Sequence, residues 1–112
     1  MADEARQAYE RAVDLFGHGK PEEAIEALKS VIGKFPDFSD AYESLGMIYY
    51  RAGRVDEAIL WTEKLAALKP EDPMPHTNLS IFYVKKGLKE KAEEEKAKAT
   101  VLQFGKFTKK DP

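Results

Sequence analysis

Residues 42–53 read Tyr42-Glu43-Ser44-Leu45-Gly46-Met47-Ile48-Tyr49-Tyr50-Arg51-Ala52-Gly53, and the recurrence of these residue types decides the fold. Gly53 has counterparts at Gly19 and Gly87, 34 residues away on either side. Tyr49 recurs as Tyr83, with Leu15 in the earlier slot, and Gly46 corresponds to Ala12 and Ser80. Outside this stretch Ala24, Ala58 and Ala92 keep the same step, as do Pro36 and Pro70. A fixed period of this length, in register and without insertion, marks one supersecondary unit used three times.

The units run from about residue 5 to 38, 39 to 72 and 73 to 106. Each divides at its glycine, which stands where a helix ends in a left-handed turn that a side chain disfavours. Pro21 suits the first position of the following helix, and Asp72-Pro73 opens the third unit with Asp72 as a cap for the free amides. Pro36 and Pro70 close second helices. The expected helices cover residues 3–17, 21–35, 39–52, 55–69, 73–86 and 88–104. Small residues at 12, 46 and 80 on the first helices face small residues at 24, 58 and 92 on the second, so that helix axes approach closely. Leu45, Tyr49, Ile59, Leu79, Tyr83, Ile25 and Leu28 fill the sides.

The run Tyr42…Leu45-Gly46…Tyr49, completed by Ala58 and Pro70, resembles the tetratricopeptide repeat. The third unit offers His76, Leu79-Ser80, Tyr83 and Ala92, and the first offers Ala8, Ala12, Leu15, Ala24 and Pro36. The resemblance covers nearly the whole chain. It implies an all-α fold: a right-handed superhelical solenoid of three helix-turn-helix units, six helices, in one domain over residues 1–107. Three departures concern the ends. Arg11 stands where the family places leucine, and Glu93 and Lys96 stand where the sibling repeats carry Ile25 and Leu28, or Ile59 and Thr62. Polar outer faces are the expected signature of terminal repeats, and are expected to mark a complete array of three, the alternative being an array from which a further helix is missing.

Composition agrees. Of 112 residues, 43% are hydrophobic and 11% aromatic, which suits one small packed domain. No apolar run approaches the roughly 20 residues of a membrane span. The acidic start, Met1-Ala2-Asp3-Glu4, enters a helical pattern at once, unlike a signal peptide. Cysteine is absent, which removes disulfides and zinc–thiolate sites and makes a reducing, cytoplasmic compartment the expectation. Residues 1–84 carry nine Lys and Arg against fifteen Asp and Glu; residues 85–112 carry nine against five. The basic end interleaves with Glu90, Glu93, Glu94 and Glu95, and Glu94 with Lys98 has the spacing of a solvated helix pair. Nucleic acid is therefore not the expected partner.

The resemblance places first-helix residues along a concave groove. They are Arg6, Tyr9, Val13 and Phe16; then Asp40, Glu43, Ser44, Met47 and Tyr50; then Met74, Thr77, Asn78, Ile81 and Lys85. Spacing groups Tyr9, Val13 and Phe16 on one helical face, as it does Glu43, Met47 and Tyr50, and Asn78, Ile81 and Lys85. Chaperone-tail clamps of this family use cations at fixed positions, which here read Tyr9, Val13, Ser44, Met74 and Asn78. A carboxylate there gains no charge-assisted bond, so clamp-type binding is not expected. What remains is an aromatic and methionine-bearing groove, with an acidic side at Asp40 and Glu43, for an apolar peptide or amphipathic helix. The same side chains also suit core packing.

His18 belongs to the solvated turn Gly17-His18-Gly19, and His76 to helix packing. Neither has the spacing of a metal triad, and no nucleophile–base pair or phosphate loop is present. The expectation is a non-catalytic, monomeric scaffold without cofactor or metal that binds another protein. The alternative is self-association through the groove or the C-terminal phenylalanines. Phe104 is expected to fold back on the last repeat near Tyr83 or Val101, with residues 108–112 forming a mobile tail.

Overall fold

The computed structural model describes residues 2–108, and six helices account for most of them: α1 (Ala2–Gly17), α2 (Pro21–Lys34), α3 (Ser39–Arg51), α4 (Val55–Leu68), α5 (Met74–Lys85) and α6 (Lys89–Thr108). They form three antiparallel hairpins, α1–α2, α3–α4 and α5–α6, stacked in chain order as an all-α helical-repeat solenoid.

The turns within the hairpins are copies of one another. Gly19, Gly53 and Gly87 have φ of +77°, +80° and +78°. The following residue, Lys20, Arg54 or Leu88, donates its amide back to Leu15, Tyr49 or Tyr83 at 3.0, 2.8 and 2.9 Å. This 6→1 bond satisfies a carbonyl that the helix end leaves free. Pro21 starts α2 at a position where no amide is needed. Before Pro36 and Pro70, the Phe35 and Lys69 amides return to Val31 and Leu65 at 2.7 and 2.9 Å, and the prolines permit no further turn. Asp72 Oδ1 accepts the Met74 amide at 3.0 Å and caps α5 as expected.

The small residues carry the close crossings. Ala12, Ala24 and Ala58 are fully buried and Ala92 is 2% exposed. Leu28, Leu45, Ile25 and Tyr49 pack around them, and Phe82 joins the same core from the third hairpin. Leu79, Tyr83 and Ala92 form a smaller cluster against Ile59. Arg11, Glu93 and Lys96 are exposed.

Charged pairs join neighbouring repeats, forward along the chain in one case and backward in two. Arg6 Nη2 meets Asp40 Oδ2 at 2.7 Å. Arg54, in the second turn, reaches Glu22 of α2 at 3.1 Å, and Lys86, beside the third turn, pairs with Asp56 of α4. Glu22 and Asp56 occupy the same repeat position, so one stitch is used twice. Such exposed pairs add only about 0–1 kcal/mol each; their regularity follows from the period.

The C-terminal helix departs from expectation. It does not end near residue 104 but continues through Gly105 to Thr108. Phe104 does not fold back on the last repeat: it is 67% exposed, and Val101 beside it is 69% exposed. The reason is geometric. At 1.5 Å per residue, α6 is about 30 Å long and α5 about 18 Å, so among the described residues the last turns of α6 extend beyond the helix they pair with. The buried stripe of α6 runs through Ala92, Glu95 and Ala99, and Phe104 projects from another side. The tail expected over residues 108–112 lies, beyond Thr108, outside the described residues.

Candidate functional site

The first helices α1 and α3 lie side by side with their equivalent residues in register. Tyr9, Val13 and Phe16 on α1 and Glu43, Ser44, Met47, Ile48 and Arg51 on α3 line a cleft of about 300 Å³. Its floor is apolar and its ends are charged. Tyr9 is fixed at one wall, with its hydroxyl 2.9 Å from Ser44 Oγ and its ring edge-on to Phe38 at 5.4 Å. The Arg6 guanidinium covers Tyr9 and Phe38 at 5.4 and 5.0 Å while holding Asp40.

Five of the eleven expected groove residues thus meet in one cleft: Tyr9, Val13, Phe16, Glu43 and Met47. Asp40 sits at its edge, but its charge is already taken by Arg6. Tyr50 stacks on Phe82 at 4.8 Å and is half-buried, so much of it serves packing between the second and third hairpins. The third-repeat residues are outside this cleft. Asn78 Nδ2 donates to Met74 Sδ at 3.2 Å, Ile81 is 47% exposed, and Lys85 is exposed.

Glu43 is half-buried and its carboxyl is raised above the ordinary range, by burial first and then by the neighbouring charges of Asp40 and Asp72. Sequence reasoning missed Arg51, which lines the opposite end of the cleft. The signal was available: Glu43, Met47 and Arg51 follow i, i+4, i+8 on one face of α3.

A second unexpected group lies at the end of the array. His76 Nδ1 is 2.7 Å from Glu95 Oε1, and Lys98 Nζ is 3.0 Å from Glu95 Oε2. Lys98 therefore serves Glu95, and not the expected Glu94. Burial disfavours the Glu95 carboxylate, yet the hydrogen bonds from His76 and Lys98 outweigh it and lower its pKa. An almost wholly apolar hollow of about 390 Å³ opens beside this group, between His76, Ala97, Val101 and Leu102. His18 is in the solvated turn, bonded to the Asp14 carbonyl at 2.8 Å. Among the described residues, no cluster of His, Asp and Glu has the geometry of a metal site, and no helix is long and apolar enough to cross a membrane.

Three solved structures are similar over nearly the whole chain. MamA is 29% identical with a TM-score of 0.87, over 93% of this chain and 61% of that one. A chain of the CopN-Scc3 complex is 20% identical with a TM-score of 0.84, over 91% and 60%. The type III secretion translocator chaperone SycD of Yersinia enterocolitica is 22% identical with a TM-score of 0.83, over 91% and 76%. The chain spans about three fifths of the length of MamA. No curated protein matches significantly. The tetratricopeptide repeat model matches residues 9–73, which hold the whole α1–α3 cleft and the α4 helix behind it. With three hairpins in the period read from its glycines and alanines, this chain belongs to the tetratricopeptide repeat family.

Proposed function

We propose that this chain is a non-catalytic protein-interaction scaffold that takes an apolar peptide or helical segment of a partner protein in its concave groove. The observation that carries this reading is the α1–α3 cleft, where Val13, Phe16 and Met47 present an apolar floor between charged ends. Anchors in pockets ringed by polar groups dominate binding at such interfaces. Similarity to a translocator chaperone and to a chain in a complex supports partner binding as the use of the fold.

The test is Met47→Glu combined with Ile81→Glu, each placing a charge where a partner needs apolar contact. We expect capture of partners from the native extract to be lost while the helical circular dichroism is kept. Ile81→Glu alone, at a side chain already 47% exposed, separates loss of binding from loss of fold. Wild-type affinity in the folded double variant would move the binding surface elsewhere.

The second reading is self-association through α6, favoured by exposed Val101 and Phe104 beside the apolar hollow.

A further inference from the structure

The repeat period carries the α1–α3 cleft across the whole molecule. Val13, Met47 and Ile81 occupy one repeat position, and Phe16, Tyr50 and Val84 another, so apolar rows cross all three first helices. Ile81 and Val84 are 47% and 65% exposed, and they continue the floor onto α5. The two edges of this floor differ in charge. Towards the start of α3 stands Glu43, with Asp40 and Asp72 close enough to act on its ionisation. At the end of α3 stands Arg51, and Lys85 occupies the equivalent position on α5, both exposed. Arg6 offsets Asp40 on the acidic edge. Glu43, Arg51 and Lys85 have no ion pair among the described residues, in contrast to Arg54, Lys86 and Lys98.

We propose that the groove takes an amphipathic helix whose apolar stripe is bordered by basic residues on one flank and acidic residues on the other, and that the two edges set the direction in which it lies. This inference rests on the groove reading above.

Width selects a helix. Glu43 and Arg51 are eight residues apart, about 12 Å along α3, and a helix with its side chains is about 10–12 Å across. A helix laid along the floor therefore reaches both edges, whereas a strand, occupying about 4.8 Å, reaches one. Charge selects the flanks, because opposite charges at a rim favour association and like charges oppose it. A half-buried Glu43 crowded by Asp40 and Asp72 gains most from a cation. Direction follows from symmetry. Turning a helix end for end with its apolar face down exchanges its flanks, so one direction matches both edges and the other mismatches both.

The probes are three helix-stabilised synthetic peptides of about 18 residues, long enough at 1.5 Å per residue to cross three helices. They share one Leu/Ile/Met stripe and differ in flanks: lysine on one side and glutamate on the other, lysine on both, or glutamate on both. Binding is read by fluorescence anisotropy. We expect the mixed peptide to bind about three- to tenfold tighter than either uniform one at low salt, with the gap closing at about 0.5 M salt. A net-acidic protein attracting cations indiscriminately would instead prefer the all-lysine peptide. Arg51→Glu with Lys85→Glu, both at exposed positions, makes both edges acidic and should hand preference to the all-lysine peptide. Equal binding of all three peptides, abolished by Met47→Glu with Ile81→Glu, would overturn the charge inference and leave the groove reading standing. Binding that survives those two substitutions, or no binding of any peptide, would overturn both.

Discussion

At Gly46 a β-carbon would lie 2.6 Å from Thr62 Oγ1 and 3.7 Å from the Ala58 carbonyl oxygen. Thr62 is 2% exposed, and its branched side chain has few rotamers to retreat to. In an open helix Gly→Ala gains about 1 kcal/mol. Here overpacking of about 1–3 kcal/mol opposes it. We expect Gly46→Ala to destabilise the wild type by about 1 kcal/mol, and to be neutral or stabilising when Thr62 is also alanine. Chemical denaturation of the four proteins decides it, and an equal effect in both backgrounds would show that the contact is not the constraint. Ala58→Leu fills the same crossing and should cost about 1–3 kcal/mol. The glycine and alanine positions were legible because a missing side chain leaves a fixed trace in a repeated unit. Thr62 was not: a threonine reads as polar, and its burial becomes evident only once Gly46 is seen opposite it.

Among the elements, α6 combines a solvated exterior with a carboxylate in its buried stripe. Glu95 has an ionised form held by His76 and Lys98. Its folded pKa is lowered, so its contribution is complete above the unfolded glutamate value of about 4.3. That contribution is lost as pH falls through the depressed folded value. We expect Glu95→Gln to cost about 1–3 kcal/mol at neutral pH, with the gap from wild type narrowing in acid, as thermal melts across pH would record. A gap independent of pH would mean that the side chain serves by shape alone. Sequence reasoning read this helix by its Glu–Lys spacing, which finds solvated pairs. A buried acid bonded to a histidine of the preceding helix has no local spacing, since 19 residues separate His76 from Glu95. The overhang of α6 was illegible for a related reason: the repeat period fixes where helices begin and turn, but not where the last one stops.

For the molecule as a whole, the exposed Phe104 sets the test of self-association. At 67% exposure, Phe104→Ala should change monomer stability by no more than about 0.5 kcal/mol. We expect a melting temperature that does not move with protein concentration or with this substitution. A concentration-dependent melting temperature that the substitution abolishes would put self-association first. The solenoid itself was legible throughout. Five of the expected groove residues line the α1–α3 cleft; Lys85 was also read from its spacing on α5, whereas Arg51 was not, because it lies a full turn beyond Met47 at the very end of α3. The stacking order also governs how the chain moves. The densest packing joins helices that follow one another in the chain, supplemented by side-chain contacts such as Arg6–Asp40 and Tyr9–Ser44 between α1 and α3 and Tyr50–Phe82 between α3 and α5. Loops close cheaply in such a topology, and proteins dominated by local contacts fold in microseconds to milliseconds. Among the described residues the outer hairpins each pack on one neighbour and the middle hairpin on two, so the outer hairpins open more easily than the middle one. The first hairpin supplies Tyr9, Val13 and Phe16. When it lets go, the cleft loses one wall while Glu43, Met47 and Arg51 stay in place on α3, so on the groove reading proposed above a ligand's escape is tied to the breathing of α1, Ala2–Gly17.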